Sequence, residues 1–306
     1  MKILVLGGTA FVGRAIVDDA LAHGHDVTIF SRGRTGTDLF PGVERLRGDR
    51  DTGDYEVLRD RHWDGVIDVS AYVPRHIGQA LDALHESAGQ HLFISTVSVY
   101  DRHKFAPIDL DEGTPRVPGV RNTEEISGTT YGGLKVACED DLLTRLGGGG
   151  TTIVRPGVVA GPHDPTDRFT WWARAASLGG RVEAPVRADQ PVQVVDSRDL
   201  ARLVNVLLET GTRGIFNAVG PAEPTTLAGL LQTCATAADA SAELVTVAGD
   251  TDDVPLALPD ESWDAIFRRS SARAYAAGMP ATPLARTAAD VLAWDRARGL
   301  PPLHVG

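Results

Sequence analysis

The first 22 residues constrain the fold more than any other stretch of the chain. Lys2–Leu6 (KILVL) is a short apolar run, and residues 7–13 (GGTAFVG) follow it at once. From Arg14 to Ala22 the apolar residues recur at helical spacing. A strand, a glycine turn and a helix in this order predict a dinucleotide site. The glycines let the backbone approach a pyrophosphate, and the helix N-terminus offers free N–H groups to it.

A phosphate-binding P-loop is the alternative interpretation of this turn. Gly8 and Gly13 have the spacing of a P-loop, but Arg14 and Ala15 stand where a P-loop needs lysine and then serine or threonine. A second apolar run, Asp26–Phe30, follows the helix, as a dinucleotide fold requires. We therefore reject the P-loop.

The rest of the first half continues the alternation of strand and helix. Strands are predicted near residues 43–46, 63–69, 90–95 and 151–155, with helices over 74–88 and 130–146. This pattern predicts an α/β fold with a doubly wound parallel sheet of the Rossmann type. After residue 160 the pattern becomes mixed, and two helices are predicted at its end, over about 260–276 and 283–298. We predict a cofactor domain in residues 1–160 with parts of 190–220, and a smaller C-terminal substrate lobe mainly in residues 161–306.

Ser31, Arg32 and Arg34 end the second strand, where such a sheet faces the adenosine ribose of a cofactor. An acidic residue there would bond the 2′-hydroxyl of NAD(H), whereas an arginine would accept the 2′-phosphate of NADP(H). NADP(H) is therefore the predicted cofactor and NAD(H) the alternative. Asp49 and Arg50 follow the third strand, where they either reach the adenine or form a charged turn.

The loop after the fourth strand is a second candidate ligand site. Ligands bind at the carboxyl ends of strands in open α/β sheets. The predicted cofactor contacts in this loop are Val69, Ser70 and Ala71, and Tyr72 is a candidate substrate contact.

Tyr131 and Lys135 are four residues apart and therefore share one helix face. Thr96 ends the fifth strand at the same edge of the sheet, and Ser98 beside it is a candidate substrate contact. A phenol has a pKa of about 10, and a nearby ammonium and an oxidised nicotinamide would lower it. We predict that Thr96 holds the substrate oxygen, Tyr131 moves its proton and the cofactor carries the hydride.

These motifs resemble the short-chain dehydrogenase/reductase superfamily, in its extended or atypical branch. The matching stretches are LGGTAFVG (6–13), FISTVSVY (93–100), YGGLK (131–135) and IVRPGVVAGP (153–162). VQVVDSRDLA (192–201) is similar to the segment before the substrate-lobe helix of that branch. Within the branch the chain is most similar to NAD-dependent epimerase/dehydratase proteins, including relatives of the chloroplast stem-loop-binding proteins.

The resemblance implies a role for each matching residue. Thr96, Tyr131 and Lys135 would be the catalytic triad, with Lys135 bonding the nicotinamide ribose. The pyrophosphate would lie on Gly7, Thr9, Ala10, Phe11, Val12 and Gly13, and the nicotinamide by Pro156, Gly157 and Val158. Ala10 replaces the usual middle glycine, a change tolerated where φ stays negative. The resemblance also implies a homodimer formed through the helices over 74–88 and 130–146.

Two departures from the family pattern bear on the substrate. Val97-Ser98 stands where sugar dehydratases carry an Asp-Glu pair, so the groups for that kind of water elimination are missing. The position of the arginine that clamps a nucleotide diphosphate falls near Val192. A nucleotide-sugar substrate would need a replacement from Arg168, Arg187 or Arg198.

A polar cluster at His163, Asp164, Asp167 and Arg168 follows the strand that would close on the nicotinamide. We weigh two interpretations equally, a substrate wall and a solvated loop. One histidine and two aspartates in a proline-containing loop are a weak metal signal, so we predict no metal site.

Charge, hydropathy and cysteine content limit the class of protein that this chain can be. The net charge of −11 argues against a nucleic-acid partner. No apolar run approaches the roughly 18 residues of a membrane span, and no signal peptide is recognisable. Cys138 and Cys234 lie far apart in the chain, as expected of reduced thiols in a cytoplasmic protein.

The leading functional hypothesis is an NAD(P)-dependent reductase or dehydrogenase. It would act on a hydroxyl or keto carbon of a small sugar-like or secondary-metabolite substrate. A sugar epimerase that retains its cofactor is the alternative, because it uses the same three residues. A non-catalytic RNA-binding or sensor relative is disfavoured by the acidic charge and by the intact triad.

Overall fold

The structure, a computed structural model, describes residues 1–84, 88–101 and 110–304. Its strands in chain order are β1 (Lys2–Leu6), β2 (Asp26–Ser31), β3 (Glu44–Arg47), β4 (Gly65–Asp68), β5 (His91–Ile94), β6 (Thr151–Pro156), β7 (Val158–Ala160), β8 (Gly180–Ala184), β9 (Pro191–Val192), β10 (Val194–Asp196), β11 (Gly214–Ala218), β12 (Thr225–Thr226) and β13 (Ala242–Thr246). Its α-helices are α1 (Phe11–Ala22), α2 (Pro74–Leu84), α3 (Tyr131–Leu146), α4 (Arg168–Ser177), α5 (Ser197–Glu209), α6 (Leu227–Ala237), α7 (Ala272–Ala276) and α8 (Leu284–Ala297).

A seven-stranded parallel sheet forms the centre, with the strand order β11-β6-β5-β4-β1-β2-β3. Pairing is parallel along the whole sheet, for example Leu4 opposite Thr28 on β2 and Val66 on β4. The direction of winding reverses between β1 and β4, which leaves a crevice at their carboxyl ends. The predicted α/β fold with a doubly wound parallel sheet is confirmed.

Helices cover both faces of the sheet, because successive strand residues point to opposite sides. Ile3 and Val5 pack in one hydrophobic cluster with residues of α1 and α5. Leu4 and Leu6 pack in another cluster with residues of α2, which in turn contacts α3. Burial on both faces explains why these strands are continuous apolar runs.

A separate hydrophobic cluster gathers residues from β7 onward. The fully buried Trp172 of α4 lies in it with residues of α6, α8, β8 and β13. The Trp172 indole N–H donates to the Pro255 carbonyl at 2.7 Å. The later part of the chain therefore builds its own core over one side of the molecule.

Two predicted helices differ from the structure. The helix predicted over 74–88 is described only as far as Leu84, while Ala88 forms a β-bridge with Trp63 and residues 85–87 lie outside the described range. The helix predicted over 260–276 is a 3₁₀ helix, Glu261–Phe267, followed by α7. Between them the Ser270 carbonyl and the Ser271 hydroxyl bond neighbouring segments at 3.2 and 2.9 Å, which interrupts the helix.

The described ranges show neither a membrane-spanning helix nor a cluster of metal ligands. No helix there combines the length and the apolar character that crossing a membrane requires. The same ranges hold no group of three or more His, Cys, Asp or Glu side chains placed to bind a metal ion.

Candidate active site at the carboxyl edge of the sheet

Gly7 and Gly13 shape the turn that follows β1. Gly7 has φ +97°, and a Cβ there would lie 2.7 Å from the Ser70 Oγ. A Cβ on Gly13 would lie 2.1 Å from the Gly7 carbonyl oxygen. Ala10 has an extended backbone with φ −135°, which confirms the expectation that φ stays negative at this residue. The turn therefore tolerates alanine at 10 but needs glycine at 7 and 13.

The N-terminus of α1 is free to bind an anion. Ala10 occupies the N-cap position and makes no side-chain capping bond. Within the described residues, the backbone N–H groups of Phe11, Val12 and Gly13 have no acceptor. Free N–H groups and the positive end of a helix dipole favour a phosphate at this position. The Thr9 hydroxyl lies beside this turn, 3.3 Å from that of Thr35.

Arg32 and Arg34 lie opposite the turn after β3. Arg32 Nη1 is 3.3 Å from a carboxylate oxygen of Asp51, and Arg34 Nη2 is 3.9 Å from one of Asp49. Both arginines are exposed. The Ser31 hydroxyl accepts the Gly33 N–H at 3.3 Å and so fixes the local turn. The structure thus brings together the two loops predicted to bind adenosine.

Arg50 has a structural role that the sequence did not reveal. Its guanidinium is buried and donates to both carboxylate oxygens of Asp68, at 2.8 and 2.6 Å. It also donates to the Ser70 Oγ at 2.6 Å and to the Tyr55 hydroxyl at 3.2 Å. Most of its N–H groups therefore bond the protein, and Arg50 joins the loops after β3 and β4.

The loop after β4 leads to the centre of the site. Asp68 Oδ1 accepts the N–H groups of Ser70 and Ala71 at 3.1 and 3.0 Å. Val69 and Ser70 are half-buried beside it, and Tyr72 is exposed with its ring centroid 6.4 Å from that of Tyr131.

The Lys135 side chain is held between this loop and the end of β5. Its ammonium donates to the carbonyls of Ala71 at 2.8 Å and Ile94 at 2.7 Å, and the side chain is buried. An ammonium has three N–H groups, so one remains for a ligand. Burial lowers the pKa of Lys135 to about 8. The side chain therefore keeps much of its positive charge at neutral pH.

Tyr131 begins α3 one turn before Lys135. Burial raises the pKa of the Tyr131 phenol above its ordinary value and Tyr72 adds to this, while Thr96 and Arg168 lower it. The expectation that the Tyr131 pKa is lowered is therefore wrong for the protein alone, because burial outweighs the favourable charges. At neutral pH Tyr131 is a neutral phenol and can donate a proton.

Thr96 lies between β5 and a short 3₁₀ helix, Val97–Val99. Its buried hydroxyl accepts the Ser98 N–H at 3.1 Å and donates to the Ser98 Oγ at 3.2 Å. Ser98 itself is exposed. The geometry thus brings Thr96, Tyr131 and Lys135 to one edge of the sheet.

Gly132 explains how α3 comes so close to this loop. A Cβ at Gly132 would lie 2.2 Å from the Ser98 carbonyl oxygen, so the backbones of the two segments touch. Gly132 is not among the predicted site residues. Its signal was a glycine pair inside a helical pattern, which lowers helix propensity and calls for a packing reason.

We expect Gly132→Ala to lower the free energy of unfolding by about 1–3 kcal/mol, because the added methyl overlaps backbone atoms. Urea unfolding measures the change. Gly148→Ala is the matched control, since a Cβ at Gly148 meets no atom within 4 Å. Equal unfolding midpoints for the two variants would contradict the close approach of α3 to the Ser98 loop.

Glu139 ties three parts of the site together. It lies two turns after Tyr131, is fully buried, and accepts the Ser95 hydroxyl at 2.6 Å. Arg155 donates to both of its oxygens at 2.9 and 2.6 Å, and Arg116 to one at 2.9 Å. Ser95 precedes Thr96 in the chain. Sequence reasoning missed this cluster, whose signal was an arginine inside an apolar strand.

Arg155 immediately precedes the segment predicted to lie by the nicotinamide. Pro156 ends β6, and Gly157 and Val158 lead into β7. A Cβ at Gly157 would lie 2.9 Å from the Val219 side chain. The segment therefore lies close to the end of β11, and its position depends on the buried Glu139–Arg155 pair.

The structure separates the candidate substrate residues. Asp164 is buried and Arg168 half-buried, and the charge of Arg168 acts on Tyr131. His163 instead lines a groove between α1 and α8, with its ring 5.6 Å from that of Trp294. Arg198 lines the same groove.

Other arginines and Asp167 are engaged within the protein. Arg198 bonds Asp196 at 2.7 Å and Asp290 at 2.5 Å, and Arg187 bonds Asp264. Asp167 is buried and accepts Arg298 at 2.6 Å. Of the three candidate replacements for the diphosphate arginine, Arg168 alone lacks a carboxylate partner within 4.0 Å among the described residues.

A cleft of about 610 Å³ lies beside Val219, the residue that follows β11. It is bounded by Val192, Gln193, Val219 and residues 267–272. Gln193 exchanges two hydrogen bonds of 2.9 Å with the Arg269 backbone and so fixes one wall. The cleft offers space for a small molecule.

Residues 3–219 match the NAD dependent epimerase/dehydratase family. The chain is 26% identical over 253 residues to the chloroplast stem-loop binding protein of 41 kDa b of Arabidopsis thaliana, covering 77% of this chain and 63% of that protein. It is 40% identical over 133 residues to the UDP-glucose 4-epimerase of Corynebacterium glutamicum, covering 37% and 40% of the two. The chain thus spans less than two thirds of these curated relatives.

Solved structures share the fold. The UDP-glucose 4-epimerase of Thermus thermophilus, in complex with NAD, superposes with a TM-score of 0.67 at 20% sequence identity. The superposition covers 98% of this chain and all of that one. At this identity the likeness establishes the architecture of the chain.

Proposed function

The chain belongs to the NAD dependent epimerase/dehydratase family, and from this membership we propose that it is a nicotinamide-dependent oxidoreductase. It acts on a hydroxyl or keto carbon of a small sugar-like or secondary-metabolite substrate. The observation that carries the proposal is the cluster of Thr96, Tyr131 and Lys135 beside the free N-terminus of α1. Residues 1–160 with parts of 190–220 hold the cofactor, and 161–306 form mainly the substrate lobe, a division supported by the separate later core.

The residues present fit a nicotinamide dinucleotide. The uncapped first turn of α1 suits a pyrophosphate, and the remaining Lys135 N–H suits a ribose hydroxyl. Asp49 would contact the adenine, and the other cofactor contacts would come from Val69, Ser70, Ala71, Pro156, Gly157 and Val158. When bound, the cofactor takes or returns a hydride at the substrate carbinol carbon.

The side chains of the site then move one proton. In reduction, Tyr131 donates its phenolic proton to the substrate oxygen as the carbonyl becomes a hydroxyl. The Thr96 hydroxyl holds the same oxygen. The Lys135 ammonium, fixed by two carbonyls, stabilises the phenolate that remains. In oxidation the same groups act in reverse. The exposed Tyr72 and Ser98 lie where a substrate would enter.

We also propose that NADP(H) is preferred over NAD(H). Arg32 and Arg34 are both exposed, and their carboxylate partners, the exposed Asp51 and the half-buried Asp49, lie 3.3 and 3.9 Å away. Such surface pairs contribute only about 0–1 kcal/mol, so a 2′-phosphate can displace them. NAD(H), which is bound in the Thermus thermophilus structure, is the alternative.

We expect calorimetric titration to give at least about tenfold tighter binding of NADP⁺ than NAD⁺, which is about 1.4 kcal/mol. Arg32→Ala should remove the preference. Arg59→Ala is the matched control, because Arg59 is an exposed arginine with its own carboxylate partner, Glu56 at 2.9 Å, and is not among the predicted cofactor contacts. Equal affinities would make Arg32 a loop residue and favour NAD(H). If protein free of co-purified cofactor bound neither, the whole proposal would fail.

A retaining epimerase is the second candidate, favoured by the 40% local identity to a UDP-glucose 4-epimerase. It would use the same three residues with no net oxidation of the cofactor. Purified protein with tightly bound cofactor and no net change in cofactor absorbance would support it. A dehydratase is disfavoured, because Val97 and Ser98 supply no acid and base pair.

Three further expectations remain predictions. The buried free thiols Cys138 and Cys234 are compatible with a cytoplasmic location. The second is a homodimer formed through α2 and α3. The contact between these two helices would place both of them on one face of the protein. The net charge of −11 disfavours RNA binding, and a gel shift at physiological salt tests it.

A further inference from the structure

Arg168 has no direct ion-pair partner among the described residues. It is half-buried at the start of α4, and within the described residues no carboxylate oxygen lies within 4.0 Å of its guanidinium. Its one hydrogen bond there runs from Nε to the Thr166 Oγ1 at 3.1 Å. By contrast, Arg116 and Arg155 near the site both bond Glu139.

A short chain of hydrogen bonds orients this guanidinium. Asp164 Oδ1 accepts the Thr166 N–H at 2.8 Å and the Thr166 hydroxyl at 2.7 Å. The same hydroxyl oxygen accepts from Arg168 Nε, so the Nε side of the group is fixed. Both terminal nitrogens of Arg168 remain without an acceptor in the part of the chain that the structure describes. Two parallel N–H donors match a carboxylate or a phosphate.

The position of Arg168 relates it to the reacting centre. The loop that holds it follows β7 and therefore continues from the segment 156–158, which is predicted to lie by the nicotinamide. The positive charge of Arg168 favours the ionised form of the Tyr131 phenol. Asp164 is buried, and its Oδ2 has no hydrogen-bond partner among the described residues. This loop can therefore offer a ligand both the Arg168 guanidinium and the Asp164 Oδ2 acceptor.

We propose that Arg168 binds a carboxylate or phosphate of the substrate close to its reacting carbon, so the substrate is an anion. The inference rests on the proposed function, since it takes Tyr131 as the acid and base. A half-buried guanidinium with unused N–H donors and no direct ion-pair partner among the described residues is stabilised by a ligand that supplies that partner. Because the arginines Arg187 and Arg198 are already paired with carboxylates, this role falls to Arg168.

Titration of the cofactor-loaded protein with three probes tests the proposal. The probes are D-glucose, D-glucuronate and glucose 1-phosphate, which share one ring and differ in charge. We expect at least one anion to bind about tenfold tighter than glucose, as charge-assisted hydrogen bonds permit. The anion whose affinity exceeds that of glucose by the larger factor identifies the charged group of the substrate as a carboxylate or a phosphate.

Variants then assign the gain to this side chain. Arg168→Gln should abolish the preference for anions and leave glucose and cofactor binding unchanged, whereas Arg168→Lys should keep part of it. Arg213→Gln is the control, because Arg213 precedes β11 at the far edge of the sheet and bonds only the Gly89 carbonyl, at 3.2 Å, among the described residues. Circular dichroism verifies that each variant is folded.

The outcomes separate this inference from the proposed function. Failure of the wild type to bind a nicotinamide cofactor would reject the proposed function itself. If the cofactor binds but neither anion binds more tightly than glucose, or neither anion binds at all, the role of Arg168 is overturned and the proposed function is not. A preference that survived Arg168→Gln would overturn it as well.

Discussion

Tyr131→Phe is expected to lower kcat by about 100- to 10,000-fold, the usual contribution of a general acid or base. The ring remains, but the phenolic proton is lost. Cofactor binding should persist, because the Lys135 ammonium is held by the carbonyls of Ala71 and Ile94 and not by the phenol. The assay is the loss of NAD(P)H absorbance with a sugar-type keto substrate that the wild type reduces.

Tyr72→Phe is the matched control for this variant. The Tyr72 ring lies 6.4 Å from that of Tyr131, and its hydroxyl has no hydrogen bond among the described residues. Its removal should have a much smaller effect on kcat. An equal loss in the two variants, or a Tyr131→Phe rate within about tenfold of wild type, would contradict the assignment of Tyr131 as the acid.

Glu139→Gln is expected to lower the free energy of unfolding by about 3–5 kcal/mol, because it removes one partner of a buried ion pair. Arg155 is only 1% exposed and would keep its charge without the carboxylate. The amide group of glutamine would also present N–H donors to arginine donors. Urea unfolding measures the loss. In the folded variant we expect a lower kcat as well, since Ser95 directly precedes Thr96 and Arg155 directly precedes the segment predicted to lie by the nicotinamide.

Asp140→Asn is the control for Glu139. Asp140 is the next residue, also bonds Arg116, at 2.8 Å, and has a side chain that is 40% exposed. Exposed pairs contribute about 0–1 kcal/mol, so this variant should unfold close to wild type. Similar losses for the two variants would show that the Glu139 cluster carries no special share of the stability.

The fold and the centre of the site were predictable, because both depend on local patterns. The strand, glycine turn and helix of residues 2–22 fix the first crossover of the sheet. Helical spacing places Tyr131 and Lys135 on one face. The end of the fifth strand adds Thr96, and the structure brings these three to one edge of the sheet.

Long-range pairs were not predictable in the same way. Arg50 and Glu139 look like surface charges in the sequence, and only the fold brings Asp68 and Arg155 to them. The Tyr131 pKa depends on burial, which spacing does not report. His163 and Asp164 are adjacent, yet the left-handed backbone at His163, with φ +72°, turns them toward different surroundings.

The bond from Arg50 to Ser70 makes the two ends of the cofactor site interdependent. Ser70 lies against Gly7 and its hydroxyl donates to the Leu6 carbonyl at 3.1 Å, just before the glycine turn. Arg50 reaches the same hydroxyl from the loop after β3, where the adenine would lie. We therefore expect binding of the adenosine half and binding of the pyrophosphate half of a dinucleotide to be cooperative. Mutations at the two ends should show non-additive effects on affinity, with Ser70 as the shared element.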